Sequence, residues 1–236
     1  MAYSWLLAVV VAFVVLSVVI AAIRPLRFAQ QHQTRQPTAD EYDSLTDSVD
    51  GIGRVQLRLI EQSVSSRSRA RAWGIVPGSR YLFVAERLLG ELSAPALSAI
   101  VAHELHHLRR WHPLGRVVLP AIFLIGWAWA IVVAPLSGLV GGAVLVAPYW
   151  LMVMAIERRM ERRADIAAAE QVGYEAMVEA LRHLDETSDE QSSGRIAWLA
   201  SHPTFAERIA HLEAEYDGEP VDNAKSTTDG GHHDRS

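Results

Sequence analysis

His103, Glu104 and His107 stand in the order H-E-x-x-H within "AIVAHELHHLRRWHPLG". Positions i and i+4 share one face of a helix. Two imidazoles so placed can reach one zinc ion, and Glu104 then lies beside the metal, where it can take a proton from a bound water. His106 falls outside this register. The surrounding residues predict the helix that the motif needs: Ser93 is suited to cap it, and Leu97, Ile100, Val101, Leu105 and Leu108 recur at helical spacing. A chance match in a chain of this composition is on the order of a few per cent. The bland alternative is an exposed polar helix turn. Against it, polar residues on an apolar-patterned helix are costly unless used. The chain has no cysteine, so a metal must be held by His, Asp or Glu.

A catalytic zinc usually takes three protein ligands and a water. The segment "IERRMERRADIAAAE", residues 156–170, offers Glu157, Glu161, Asp165 and Glu170. Glu161 and Asp165 are again i and i+4. In the preferred reading Glu161 binds zinc, and Asp165 accepts a hydrogen bond from a ligand histidine and fixes its tautomer. Taken alone, a carboxylate in an arginine-rich helix is more often a solvated ion-pair partner.

The elements that must position these residues include three uncharged apolar runs, at 5–23, 117–133 and 139–156. As helices they extend about 28 Å for the first and about 26 Å for the others, near one hydrocarbon thickness. "APLSG", residues 134–138, predicts the turn of a hairpin. Arg24, Arg27 and Arg35 follow the first run and no Lys or Arg precedes it. This favours an uncleaved anchor with its N-terminus outside over a cleaved signal peptide. Arg109, Arg110 and Arg116 precede the hairpin, and Arg158, Arg159, Arg162 and Arg163 follow it, which places both ends in the cytoplasm. The two half-sites can meet only on one side of the membrane, so an even number of spans must separate them. The sequence supplies two.

Elsewhere, residues 30–50 read as a polar linker and 52–63 show helical apolar spacing. Residues 80–89 begin strand-like after "VPGS", and 170–184 and 205–216 read as helices. From residue 217 the chain is polar, with the composition of a disordered tail. The net charge of −5 argues against a nucleic-acid partner.

HELHH, the apolar hairpin, E-R-R-A-D and "SHPTFAERI", residues 201–209, together resemble the HtpX-like membrane zinc metallopeptidases, relatives of the CAAX prenyl proteases. The resemblance covers roughly residues 69–212, and the later E-x-x-x-D and H-P-x(4)-R make it far more specific than HExxH alone. It implies a mostly α gluzincin-like domain with a small β-sheet and a transmembrane hairpin inserted between the zinc-ligand helices. It implies one zinc per chain on His103, His107 and Glu161, with Glu104 as catalytic base. His202 and Arg208 would lie near the substrate or behind the ligands, with His202 a candidate to stabilise an oxyanion. From the residues alone, His202 could equally be a loop histidine and Arg208 a surface charge. A substrate-aligning edge strand would be Tyr81, Leu82, Phe83, Val84 and Ala85, taking an extended peptide by backbone hydrogen bonds.

Two departures stand out. Where family members often carry an Asn-Ala-x-Ala-like segment before the edge strand, this chain has "RARAWG", residues 69–74. It also shows one N-terminal anchor where many relatives have two.

The expected layout is an anchor at 1–29, a linker at 30–50, a metallopeptidase domain at 51–216 containing the hairpin at 117–156, and a tail at 217–236. The expected partners are a protein or peptide substrate and the lipid bilayer; oligomeric state is open. The expected activity is zinc-dependent endopeptidase action on membrane or misfolded proteins at the cytoplasmic membrane face. The rival readings are a non-catalytic zinc scaffold, an antirepressor-type regulatory membrane peptidase and a small transporter. A transporter would want ionisable residues within its spans, and the three runs have none.

Overall fold

The computed structural model describes residues 3–61, 70–76, 78–187 and 203–216. Three helices are long and apolar enough to cross a membrane: α1 (Ser4–Gln31), α5 (His112–Val133) and α6 (Pro135–Val172). Their apolar stretches are almost wholly unburied within the protein. Ile122 is 64% exposed and Leu136 77%, a cost that only a hydrocarbon surrounding removes. α5 packs against both α1 and α6. Pro25, Pro120 and Pro148 lie inside these helices without ending them.

The hairpin turn is tighter than the expected 134–138. Only Ala134 separates the two helices, and Pro135 starts α6. Glycines make this close approach feasible. A Cβ on Gly138 would run into the Ala130 backbone, and one on Gly142 into the Trp127 indole.

The remaining elements fold beyond one end of this layer. A four-stranded sheet has the order β1 (Thr34–Arg35), β2 (Gln56–Ile60), β4 (Tyr81–Ala85), β3 (Ala70–Trp73). β2 and β4 are parallel, pairing Leu57 with Leu82 and Leu59 with Val84; β3 is antiparallel to β4. One face of the sheet packs Leu57, Leu59, Leu82 and Val84 into a core with Leu97, Val101 and Leu105 of α4 (Ala94–Arg109). Met177 and Leu181 of α7 (Tyr174–Glu186) and Leu212 of α8 (Phe205–Tyr216) close it. Each such side chain stabilises the fold by about 1.5–3 kcal/mol. The other face carries Ile60, Tyr81 and Phe83, covered by Phe28 at the end of α1 and by Trp73.

Three sequence expectations change. Residues 52–61 do not form the expected α-helix, the rest of 52–63 lying outside the described residues: a 3-10 turn at Ile52–Arg54 leads into β2. Ile52, Val55 and Leu59 fit a 3.6 period while Val55, Leu57 and Leu59 fit a 2.0 period, and pairing with β4 decides for the strand. Residues 30–50 are not a free linker. They hold β1 and α2 (Ala39–Thr46), which Thr38 and Glu41 cap reciprocally, and Leu45 is fully buried.

Third, Tyr81–Ala85 is not an edge strand. It is paired on both sides and all five residues are buried, so its backbone groups are already spent. Its unbroken apolar run is the signature of a strand covered on both faces. Among the described residues β3, residues 70–73 of the "RARAWG" segment, is the edge beside β4, and it turns towards β4 through Gly74. Gly74 sits at φ 126, where a Cβ would strike the Ser79 carbonyl. The tail from residue 217 lies outside the described residues.

Candidate metal centre

α4 begins where the Ser93 hydroxyl accepts from the Ala96 N–H. Its apolar residues face the core described above, and this fixes the rotation that points His103 and His107 to the opposite neighbour, α6. Both imidazoles are buried, as are Glu161 and Asp165 on α6. The His103 and His107 Nε2 atoms are 3.1 Å apart, and the Glu161 carboxylate lies 3.5 Å from each. A tetrahedral ion with bonds of about 2.0 Å separates its ligands by about 3.3 Å. The donor set and its spacing therefore fit zinc, and these three residues form a compact metal-competent group.

Behind the donors, each ring is held by a second contact. His103 Nδ1 lies 2.9 Å from Asp165 Oδ1. Asp165 is gripped by Arg208, whose Nε donates at 2.8 Å and Nη2 at 2.5 Å. Arg208 Nη1 also lies 3.8 Å from Glu161. His107 Nδ1 lies 2.5 Å from His112 Nδ1. His112 opens α5 just after α4 ends; between them Trp111 takes a left-handed conformation, φ 57. The path from α4 to the second span is thus broken at Arg110 and Trp111, before Pro113 and Gly115.

Electrostatics separate the two histidines. Burial pushes His103 down, but hydrogen bonds to Asp165 and Glu161 outweigh it and hold its pKa up at about 9. Burial, reinforced by the His103 charge, pushes His107 down to about 2. In the metal-free protein at neutral pH His103 is therefore the imidazolium. It presents Nδ1–H to Asp165 and Nε2–H towards Glu161.

Glu104 faces a cleft of about 410 Å³ that it shares with the three donors. Its Oε2 accepts from the Ala72 N–H at 2.8 Å. Since that N–H points away from β4, the open edge of the sheet borders the site. Of the other carboxylates considered, Glu157 lies 3.3 Å from Arg116 and Glu170 is exposed. His106 is half-buried outside the donor group. Tyr81–Ala85 is screened from the cleft by β3. His202 lies outside the described residues.

Sequence reasoning missed His112 and Ala72. The first was signalled only by a histidine five residues after the motif, and the second is a backbone group with no residue type to mark it.

A model of peptidase family M48 matches residues 49–216. No curated protein sequence matches significantly. Among solved structures, the crystal structure of S. mikatae Ste24p superposes with a TM-score of 0.63 at 19% identity, covering 89% of this chain and 57% of that one. That likeness is one of fold, and the chain spans little more than half the length of the protein it matches.

Proposed function

The chain belongs to peptidase family M48, and from that premise we propose that it is a membrane-bound zinc endopeptidase. We assign it membrane and misfolded proteins as substrates, cut beside the cytoplasmic membrane face. The observation that carries this is the convergence of His103, His107 and Glu161 at zinc-like spacing, with Glu104 next to them in an open cleft.

In this reading His103, His107 and Glu161 hold one zinc. When bound, the ion lowers the pKa of its water and polarises the scissile carbonyl. Glu104 accepts the proton on its carboxylate and returns it to the leaving amine. Asp165 keeps His103 Nδ1 protonated and its Nε2 turned to the centre; His112 does the same for His107. Arg208 keeps Asp165 ionised in its buried position. An extended substrate adds to the open edge of β3, whose backbone contacts are largely blind to sequence. For a scaffold that merely binds zinc, Glu104 would have no task.

Location supports the substrate class. Glu161 lies on the same continuous helix as the third span, five residues beyond position 156, which is about 8 Å. Arginines crowd both ends of the hairpin, a charge bias that favours the cytoplasmic side for this end. The test uses full-length protein in detergent, loaded with zinc, beside E104Q. The parent should cleave casein; E104Q should keep its zinc and lose about 10²–10⁴-fold in rate. Equal activity in both would end the role of Glu104, and no zinc in either would end the ligand assignment.

A further inference from the structure

The cleft holds two arginines for which the reaction has no use. Arg24, in the stretch of α1 just past its apolar run, and Arg71, on β3, both line it. Their guanidinium carbons lie over the Trp73 ring, 4.7 and 5.4 Å from its centroid. Trp73 is itself fixed, edge-on to Phe28 at 4.7 Å and to Phe83 at 5.8 Å.

The other charges of the cleft have partners. Arg116 lies against Glu157, Arg208 grips Asp165, Glu104 accepts from Ala72, and Glu161 faces the two histidines. Among the described residues neither Arg24 nor Arg71 pairs with a carboxylate. Stacking on an aromatic face orients a guanidinium and leaves its planar N–H fork free for a carboxylate.

Register strengthens the case. Side chains alternate along a strand, so Arg71 and Trp73 share the face of β3 opposite Ala72. A peptide strand laid on that edge alternates likewise, and every second residue meets Arg71 and Arg24.

We propose that Arg24 and Arg71, poised over Trp73, form a subsite for a carboxylate of the bound substrate chain. The inference rests on the peptidase reading and adds a specificity to it. It also makes the N-terminal membrane helix part of the catalytic cleft as well as an anchor. The carboxylate is either an Asp or Glu side chain or a free C-terminus.

The test measures kcat/KM for quenched peptides on zinc-loaded full-length protein in a neutral detergent, free of anionic lipid. One amidated set carries Glu, Gln or Lys in turn at each position flanking the cut; a second pair differs only in a free or amidated C-terminus. A gain of about tenfold for Glu over Gln is expected, the size of one charge-assisted contact. The ratio should fall to near one in R24Q/R71Q and turn towards Lys in R71E, a reversal that mere misfolding cannot produce. A gain confined to the free C-terminus would support the subsite and identify its source.

A ratio near one in the parent, or one that survives in R24Q/R71Q, overturns the subsite while cleavage of the Gln peptides leaves the peptidase standing. An equal fall for all peptides in R24Q/R71Q, with no change in ratio, assigns the arginines to the fold or to lipid headgroups and also overturns it. No cleavage of any peptide by zinc-bound protein would sink the peptidase and the subsite together.

Discussion

Zinc binding should release one proton at neutral pH, and that proton should come from His103. The ion needs both Nε2 lone pairs. In the metal-free protein His107 already offers its own, because burial holds its pKa near 2. His103 does not, because its carboxylate neighbours hold its pKa at about 9. Below pH 9 the apparent zinc affinity should therefore drop tenfold per pH unit, and above it the affinity should level off. Relative to the plateau at high pH the loss at pH 7 is about a hundredfold, or about 2.7 kcal/mol at 1.36 kcal/mol per unit. Competition against a chelator of known proton-corrected affinity, from pH 6 to pH 10, reads the slope. Calorimetry in two buffers of different ionisation enthalpy counts the proton directly. A flat profile would show that Asp165 and Glu161 do not keep His103 charged. A slope of two at pH 6, below the range of about 7 in which a zinc-bound water ionises, would show that His107 is protonated as well. Either result refutes the electrostatic reasoning.

The same group links pH to the stability of the metal-free protein. Its raised pKa gives a contribution that is complete below about pH 6.5 and is lost as pH rises through about 9; thermal unfolding of zinc-free protein should therefore come earlier at pH 9.5 than at pH 6.5. R208M should take from buried Asp165 one of its two charged partners, leaving only His103, costing about 3 kcal/mol and lowering Tm by about 10 °C, measured by differential scanning fluorimetry in detergent. G138L should drive α5 and α6 apart at the Ala130 backbone. It should lower Tm, whereas the same change at Gly141, which faces open space, should leave Tm almost unchanged.

The parts of this molecule that the sequence made legible are those whose geometry is local. His103 and His107 share a face because a helix turns in 3.6 residues, and that needs no knowledge of the rest of the fold. The hairpin could be read because hydrocarbon demands an unbroken uncharged run. Glu161 and Asp165 needed one more step, the parity of spans, and their buried placement opposite α4 is what that step anticipates. The sheet was another matter. Val55 and Leu59 belong to a helical set with Ile52 and to an alternating set with Leu57, and only pairing with Tyr81–Ala85 across more than twenty residues decides between the two. The same non-local pairing moved the open edge from β4 to β3. His112 escaped notice because it lies beyond the break at Trp111, where helical spacing from His107 no longer predicts where a side chain goes.

α6 is a single rod of 38 residues, about 57 Å long. From position 147, midway along its apolar run, to Glu161 is about 21 Å of that rod. Swinging the lower half by 10°, within the ordinary spread of membrane-helix tilts, would carry the Glu161 carboxylate sideways by about 4 Å. A metal site tolerates only about 0.2 Å in its bond lengths. Bilayer thickness, which sets tilt through hydrophobic mismatch, thereby becomes a mechanical input to the ion's coordination. α4 either rides with the lever or lets go of the ion. Hydrolysis of one soluble peptide by protein reconstituted in lipids of increasing acyl length measures which: a constant rate means that the two helices move as one body, and a sharp optimum means that the protein is tuned to a membrane of one thickness.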